Sequence, residues 1–349
     1  MKKVVTFGEI LLRLSPPGYL RFSQANSFDV QFGGGEANAA VSLANYGISV
    51  DFITRIPDND IAQCALMEMH KRGVGTNNII LGGDRLGIYF LENGAVSRGS
   101  KVVYDRENSS MSEIKPGMVN WDNVFEGVEW FHWCGITPAI SKSAAEACLE
   151  AVKVAAQKGI TISTDFNYRA KLWKYCDHEE RQGIMSELTS YSNIILGSEY
   201  DAKMFFNILP EDVDEELLNK EEKERKEFLS VCDQTMERFP SIKKFIKTKR
   251  ESVSASHNNL EAILYEGKQL YQSPKYEITD IVDRVGGGDA FIGALIYALL
   301  KDEKDNQRAL NFAIAASCLK HTIKGDANLV TVEEVERLMD GDASGRVSR

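Results

Sequence analysis

Short apolar runs with strand character alternate with helical repeats along most of this 349-residue chain. Lys3–Phe7, Val50–Thr54, Glu129–Trp133, Ile160–Thr164, Asn193–Leu196 and Lys244–Thr248 read as buried strands. Helical spacing of apolar residues marks Glu36–Tyr46, Ile61–Lys71, Ala144–Gln157, Glu179–Leu188, Glu199–Phe206 and Glu221–Arg238. Gly47 and Gly73 follow the first two helices and suit their C-caps. Such alternation makes successive strands lie parallel in one sheet, with helices on both faces. An α/β fold is therefore expected, and 43% hydrophobic residues suffice to fill its core.

Two stretches break the rhythm. Ile10–Phe32 holds extended pieces at Leu11–Leu14 and Phe28–Phe32 around a Pro16-Pro17-Gly18 turn. Arg85–Arg106 reads as two strands, Gly87–Leu91 and Lys101–Tyr104, joined by a glycine-containing turn. Together they can form a small four-stranded sheet off the main body, and its open face must cover a ligand, a partner subunit or both. The charged run Glu215–Lys226 reads as a solvated helix face and the polar tail Asp340–Arg349 as a frayed end.

Charge and motif content exclude several functions. A net charge of -10 argues against a nucleic-acid partner. The six cysteines are scattered without a C-x-x-C pair, as expected for reduced thiols in the cytoplasm. The five histidines form no zinc-type spacing, and His132 reads as a core residue. No apolar stretch is long enough to span a membrane. The first strand is followed by Gly8-Glu9-Ile10-Leu11, which fails the dinucleotide fingerprint, and no Walker A loop occurs.

Two glycine clusters each open a helix. Asp283-Arg284-Val285-Gly286-Gly287-Gly288-Asp289 leads into an apolar helical repeat (Phe291, Ala294, Leu295, Ala298, Leu299). A bare backbone at a helix N-terminus offers N–H groups and positive potential to an anion. Asp289 within it is either a helix cap or a general base facing a hydroxyl. The other cluster, Gly33-Gly34-Gly35, precedes Asn38 by one turn. It serves either close approach to a ligand or tight helix packing.

G-G-G-x-A-N-x-A at 33–40 together with D-x-x-G-G-G-D-A-F at 283–291 resembles the ribokinase-like (PfkB) carbohydrate kinases, over about residues 3–335. The resemblance implies one domain over 1–349, a ribokinase-like three-layer sandwich. Its central sheet would be mainly parallel, with a small β-sheet lid built from about 10–32 and 85–106. It implies transfer of the γ-phosphoryl group of ATP, with Mg2+, to a sugar hydroxyl. Asp289 would be the base, the amides of Gly286, Gly287 and Gly288 the anion hole, and Arg169 a cation near the transfer path. Ser198, Thr248, Lys249, Gly286, Gly288 and Asn328 would face the nucleotide, and Asp201 would meet magnesium only indirectly. A homo-oligomer through the lid is also expected.

Further strings resemble family members acting on 2-keto-3-deoxygluconate. They are Gly8–Pro16, His132–Ala139, Asp165-Phe166-Asn167-Tyr168-Arg169 with Leu172-Trp173, and Lys320–Ile323 with Gly325-Asp326. An anionic sugar acid calls for cationic and hydroxyl donors. The resemblance places Gly34, Asn38, Tyr89, Tyr104, Arg106, Asn167, Arg169 and Asp289 around it. The alternative acceptor is fructose, another neutral sugar or a nucleoside, and a third reading is a non-catalytic sensor on a kinase fold. The sequence departs from the family pattern at three places. Ser198-Glu199-Tyr200-Asp201 stands for Asn-x-x-Glu, no glycine turn follows Lys247, and Arg284 replaces a usual threonine as a possible cation near the phosphates.

Overall fold

A computed structural model describes residues 2–211, 219–342 and 345. Residues 215–218 of the charged run and most of the tail beyond 342 lie outside the described residues. The fold is α/β, with a large, mostly parallel sheet and a smaller separate sheet of four strands. The chain divides into two compact units. One holds Met1–Met111, Lys249–Ala262 and Gln272–Arg349, and the other holds Ser112–Thr248 and Ile263–Tyr271.

In the first unit, Lys3–Phe7 and Ser49–Ile53 pair in parallel, with Val4 opposite Val50 and Thr6 opposite Phe52. Val4, Val5, Phe7, Phe52 and Ile53 are fully or almost fully buried, as a strand covered on both faces requires. Helix Gly35–Asn45 packs on these strands and on helix Gly287–Lys301, which in turn packs on Asn306–Lys320. Close approach of the first two helices depends on small residues. A Cβ added at Gly293 would lie 2.6 Å from Cβ of Ser42 and 3.1 Å from the Ala39 carbonyl oxygen. One turn towards the N-terminus on each helix, this contact brings Asn38 beside Asp289.

The expected lid is present in this unit. Its strand order is Asp29–Gly33, Leu11–Ser15, Gly87–Glu92, Lys101–Asp105. The first and last pairings are antiparallel and the central one is parallel, with Arg13 opposite Tyr89 and Tyr89 opposite Tyr104. Alternation places Leu11, Arg13 and Ser15 on one buried face of their strand.

In the second unit, Trp130–Cys134, Thr161–Asp165 and Ile194–Leu196 are parallel neighbours, and Ile194 lies opposite Lys244. Helices Lys142–Gln157, His178–Thr189, Glu199–Phe206 and Lys220–Arg238 follow the expected periodicity. His132 is buried, with Nδ1 2.9 Å from Ser163 Oγ. Strands Asn258–Glu266, Gln269–Gln272 and Tyr276–Ile278 have no counterpart in the sequence reading. Asn258–Glu266 does carry a short apolar run, Ala262–Tyr265, whereas Gln269–Gln272 and Tyr276–Ile278 are too short and polar to show one. Among the described residues no helix is long and apolar enough to cross a membrane.

Candidate active site

Among the described residues, the N-termini of the helices of eight residues or more separate into two groups. Helices beginning at Asp60, Lys142, His178, Glu199, Lys220, Asn306 and Val332 are each capped by a side chain: Asn59, Ser141, Asp177, Ser198, Asn219, Asp305 and Thr331. Helices Gly35–Asn45 and Gly287–Lys301 have glycine at the N-cap and no side-chain cap. Their first-turn amides therefore lack both an intrahelical partner and a side-chain acceptor at the cap. Packing at Gly293 and Ser42 brings these two ends together in the first unit.

Gly286 has φ +81°, and a Cβ there would run into the Asp326 carbonyl oxygen. Only glycine can make this turn so close to the C-terminal loop. Gly34 likewise lies against the Glu9 carbonyl oxygen. Gly288 differs: it is exposed, and a Cβ added there meets no protein atom within 4 Å. The helix end thus opens onto free space at Gly288.

Asp289 is the third residue of its helix, inside the N-cap, and half-buried. Asn38 Nδ2 donates to Asp289 Oδ2 at 2.6 Å, while Asn38 Oδ1 accepts from the Gly34 amide at 3.4 Å. Asn38 is itself buried. The carboxylate is thus oriented from the other glycine cluster, an arrangement that a simple cap does not need. A carboxylate so placed can accept a proton from a hydroxyl brought to the same helix end.

Behind the glycine turn lies a buried ionic network. Arg13 is 1% exposed and pairs with Asp283 at 2.7 Å and with Asp326. Asp283 Oδ1 and Oδ2 also accept from the amides of Val285 and Gly325, at 3.1 and 3.0 Å. Against burial, which acts to lower it, Asp326 and Asp283 hold the Arg13 pKa above its ordinary value. Tyr89 donates its hydroxyl to Asp326, and burial with that carboxylate nearby pushes its pKa well up, so it remains a donor. Removing one partner of such a buried pair costs about 3–5 kcal/mol. The network ties a lid strand to the start of the glycine turn at Asp283 and to the loop that carries Gly325 and Asp326.

Arg106, buried, is held by Glu9, which also accepts from Ser109. Its guanidinium lies 5.7 Å from the Tyr104 ring centroid, and its buried Nε has no hydrogen-bond partner. Tyr104 is 46% exposed on the outer lid strand, with its ring centroid 6.2 Å from that of Tyr89. Arg284 donates to Asn258 Oδ1 at 3.2 Å, and its buried Nε is also without a partner. Asn328 is buried with Nδ2 donating to the Tyr46 hydroxyl at 2.7 Å, a packing contact. Lys249 pairs with Glu261 at 3.2 Å.

The second unit carries the remaining sequence-derived residues. Asn167 has φ +40° and donates to Cys134 Sγ at 3.4 Å. Arg169 is exposed and donates to the Tyr168 carbonyl oxygen at 3.2 Å. Ser198 and Asp201 form a reciprocal capping box, and Asp201 Oδ1 accepts from the Tyr168 amide at 3.0 Å. Those contacts give both side chains a structural task at the helix end. Thr248 is exposed. Arg13 and Glu9 were not singled out as site residues, yet a charged residue on the buried face of Leu11–Ser15 signals a carboxylate partner.

Among the described residues no group of three or more His, Cys, Asp or Glu side chains gathers to hold a metal. Magnesium that keeps its waters and rides on nucleotide phosphates fits this donor set, whereas a dedicated protein cage does not.

An α/β framework that joins two uncapped, glycine-led helix ends around one carboxylate has the parts of a phosphoryl-transfer enzyme. The model of the pfkB family carbohydrate kinases matches residues 1–332, and the chain belongs to that family. It is 43% identical to the crystal structure of 2-dehydro-3-deoxygluconokinase from Thermotoga maritima, with a TM-score of 0.89 and coverage of 97% of this chain and 98% of that one. It is 30% identical to 2-dehydro-3-deoxygalactonokinase of Haloferax volcanii over 98% of both chains. It is also 26% identical to a probable fructokinase-4 of Arabidopsis thaliana, over 97% of both.

Proposed function

We propose that this carbohydrate kinase transfers the γ-phosphoryl group of ATP to the terminal hydroxyl of 2-keto-3-deoxygluconate, giving 2-keto-3-deoxy-6-phosphogluconate, in the cytoplasm. The observation that carries the chemistry is the Asp289 carboxylate, oriented by Asn38 at an uncapped glycine helix end. Asp289 takes the hydroxyl proton as the sugar oxygen attacks phosphorus and the bond to the ADP oxygen breaks. The amides of Gly286, Gly287 and Gly288 meet the negative charge spread over the phosphoryl oxygens. Magnesium supplies charge neutralisation on the nucleotide phosphates. Closing the lid over the sugar excludes water that would otherwise accept the phosphoryl group.

The acceptor is supported by the similarity to the gluconokinase and galactonokinase relatives and by Arg106. Its buried Nε without a partner suits an acceptor that brings its own oxygen anion. Exposed Val30 and Val103, which the strand register places on the lid face opposite Tyr89, support a homo-oligomer through that face. ADP release measured across a panel of 2-keto-3-deoxy sugar acids of gluco and galacto configuration, fructose, ribose and nucleosides tests the assignment. A preference of at least tenfold in kcat/KM for a keto-deoxy acid is expected. A preference for fructose would refute the acceptor while leaving the chemistry intact.

A further inference from the structure

Lys320 ends helix Asn306–Lys320 and is 0% exposed, the most deeply enclosed lysine among the described residues. A buried ammonium is costly unless it is paired. Its Nζ donates to two main-chain carbonyls, Asp283 at 3.1 Å and Ile323 at 3.3 Å. Those carbonyls belong to the loop leading into the glycine turn and to the loop that carries Gly325 and Asp326. The same helix end holds the turn at other points. Ser317 Oγ donates to the Gly287 carbonyl at 2.8 Å, and the Val282 amide donates to the His321 carbonyl at 2.9 Å.

Charge adds a second reason for Lys320. Arg13 and Lys320 are the cations of this network, and Asp283 and Asp326 its anions. Removing Lys320 leaves excess negative charge beneath a turn that must receive phosphate. Burial lowers the Lys320 pKa, the nearby Asp283, Asp326 and Asp289 act in the opposite direction, and Arg13 adds to the lowering.

We infer that Lys320 is a positioning residue for phosphoryl transfer: its ammonium fixes the Asp283–Gly288 turn and balances the carboxylates beneath it. It touches neither substrate, and this role rests on the phosphate-site assignment proposed above.

The test uses the full chain and whichever acceptor the wild-type protein phosphorylates, so an error in the acceptor leaves it standing. In Lys320→Met, kcat is expected to fall at least tenfold with the acceptor KM within twofold of wild type. Should that variant fail to fold, Lys320→Gln, which keeps a donor but no charge, takes its place with the same expectation. Lys320→Ala is then assayed with propylammonium and with 1-propanol. Recovery of turnover by the cation alone is expected, because a merely space-filling role would respond to both. A folded Met or Gln variant with kcat within twofold of wild type overturns the inference, as does equal recovery with 1-propanol or none with propylammonium. Full activity in Gly288→Ala would instead remove the phosphate-site assignment itself.

Discussion

Gly288→Ala separates stability from function at a single carbon atom. Gly288 is the second residue of helix Gly287–Lys301, and its backbone is not in the left-handed region. An added Cβ there meets no protein atom within 4 Å, so the native fold accommodates it. Replacing a helical glycine by alanine stabilises by roughly 0.5–1 kcal/mol, mostly through the unfolded chain. Spread over the unfolding entropy of a chain this long, that is a rise in Tm of about 1 °C. Turnover moves the other way. The new methyl group occupies the open space from which a phosphoryl group reaches the first-turn amides. Loss of one preorganised donor to an oxyanion costs on the order of 10²–10³ in rate. Thermal unfolding with coupled ADP release checks both halves. A variant with unchanged or higher Tm and turnover reduced at least tenfold is expected. Wild-type turnover and an unchanged KM for ATP would refute the assignment of this helix end to the phosphoryl group.

Three further outcomes follow from the geometry. Asn38→Ala removes the donor 2.6 Å from Asp289, and kcat is expected to drop about tenfold or more with little change in acceptor KM; a loss confined to KM would contradict an orienting role. Gly293→Ala forces apart the helices that touch at Ser42, so both Tm and kcat should fall, by an overpacking cost of about 1–3 kcal/mol; calorimetry and turnover on the same sample test this. Burial holds His132 and His321 at about 4, against an unfolded value of roughly 6.5. Between those values the unfolded chain binds protons that the native one does not, so stability is full above pH 6.5 and is lost as pH falls towards 4. Denaturant unfolding at pH 7 and pH 5 should differ by about 2 kcal/mol for each histidine, and His132→Gln should remove its share; an unchanged pH slope in that variant would contradict it.

Much of the fold is legible because local and global signals agree. The lid shows as alternating runs at Leu11–Ser15 and Gly87–Glu92, and the helix ends at Gly47 and Gly73 show as glycines that take positive φ. Asp289 and Asn38 are legible as residues one turn into glycine-led helices. Their contact is not, because it depends on Gly293 meeting Ser42 across 251 residues of separation between Asn38 and Asp289. The Arg13–Asp283–Asp326 network was hidden for a similar reason: its members lie far apart in sequence, and only Arg13 carried a local sign. The family resemblance places Asn328 and Ser198 at the nucleotide. Asn328 packs with Tyr46 across 282 residues, which no local pattern reveals, whereas the cap of Ser198 is written in its S-x-x-D spacing to Asp201.

Asp289→Asn addresses the chemistry most directly. The change is isosteric, and its amide oxygen can still accept from Asn38, so ATP and acceptor affinities measured by calorimetry should stay within a few fold of wild type. A general base contributes typically 10²–10⁴-fold, and kcat should fall by that order. Wild-type-like turnover in a folded Asp289→Asn protein would contradict the account.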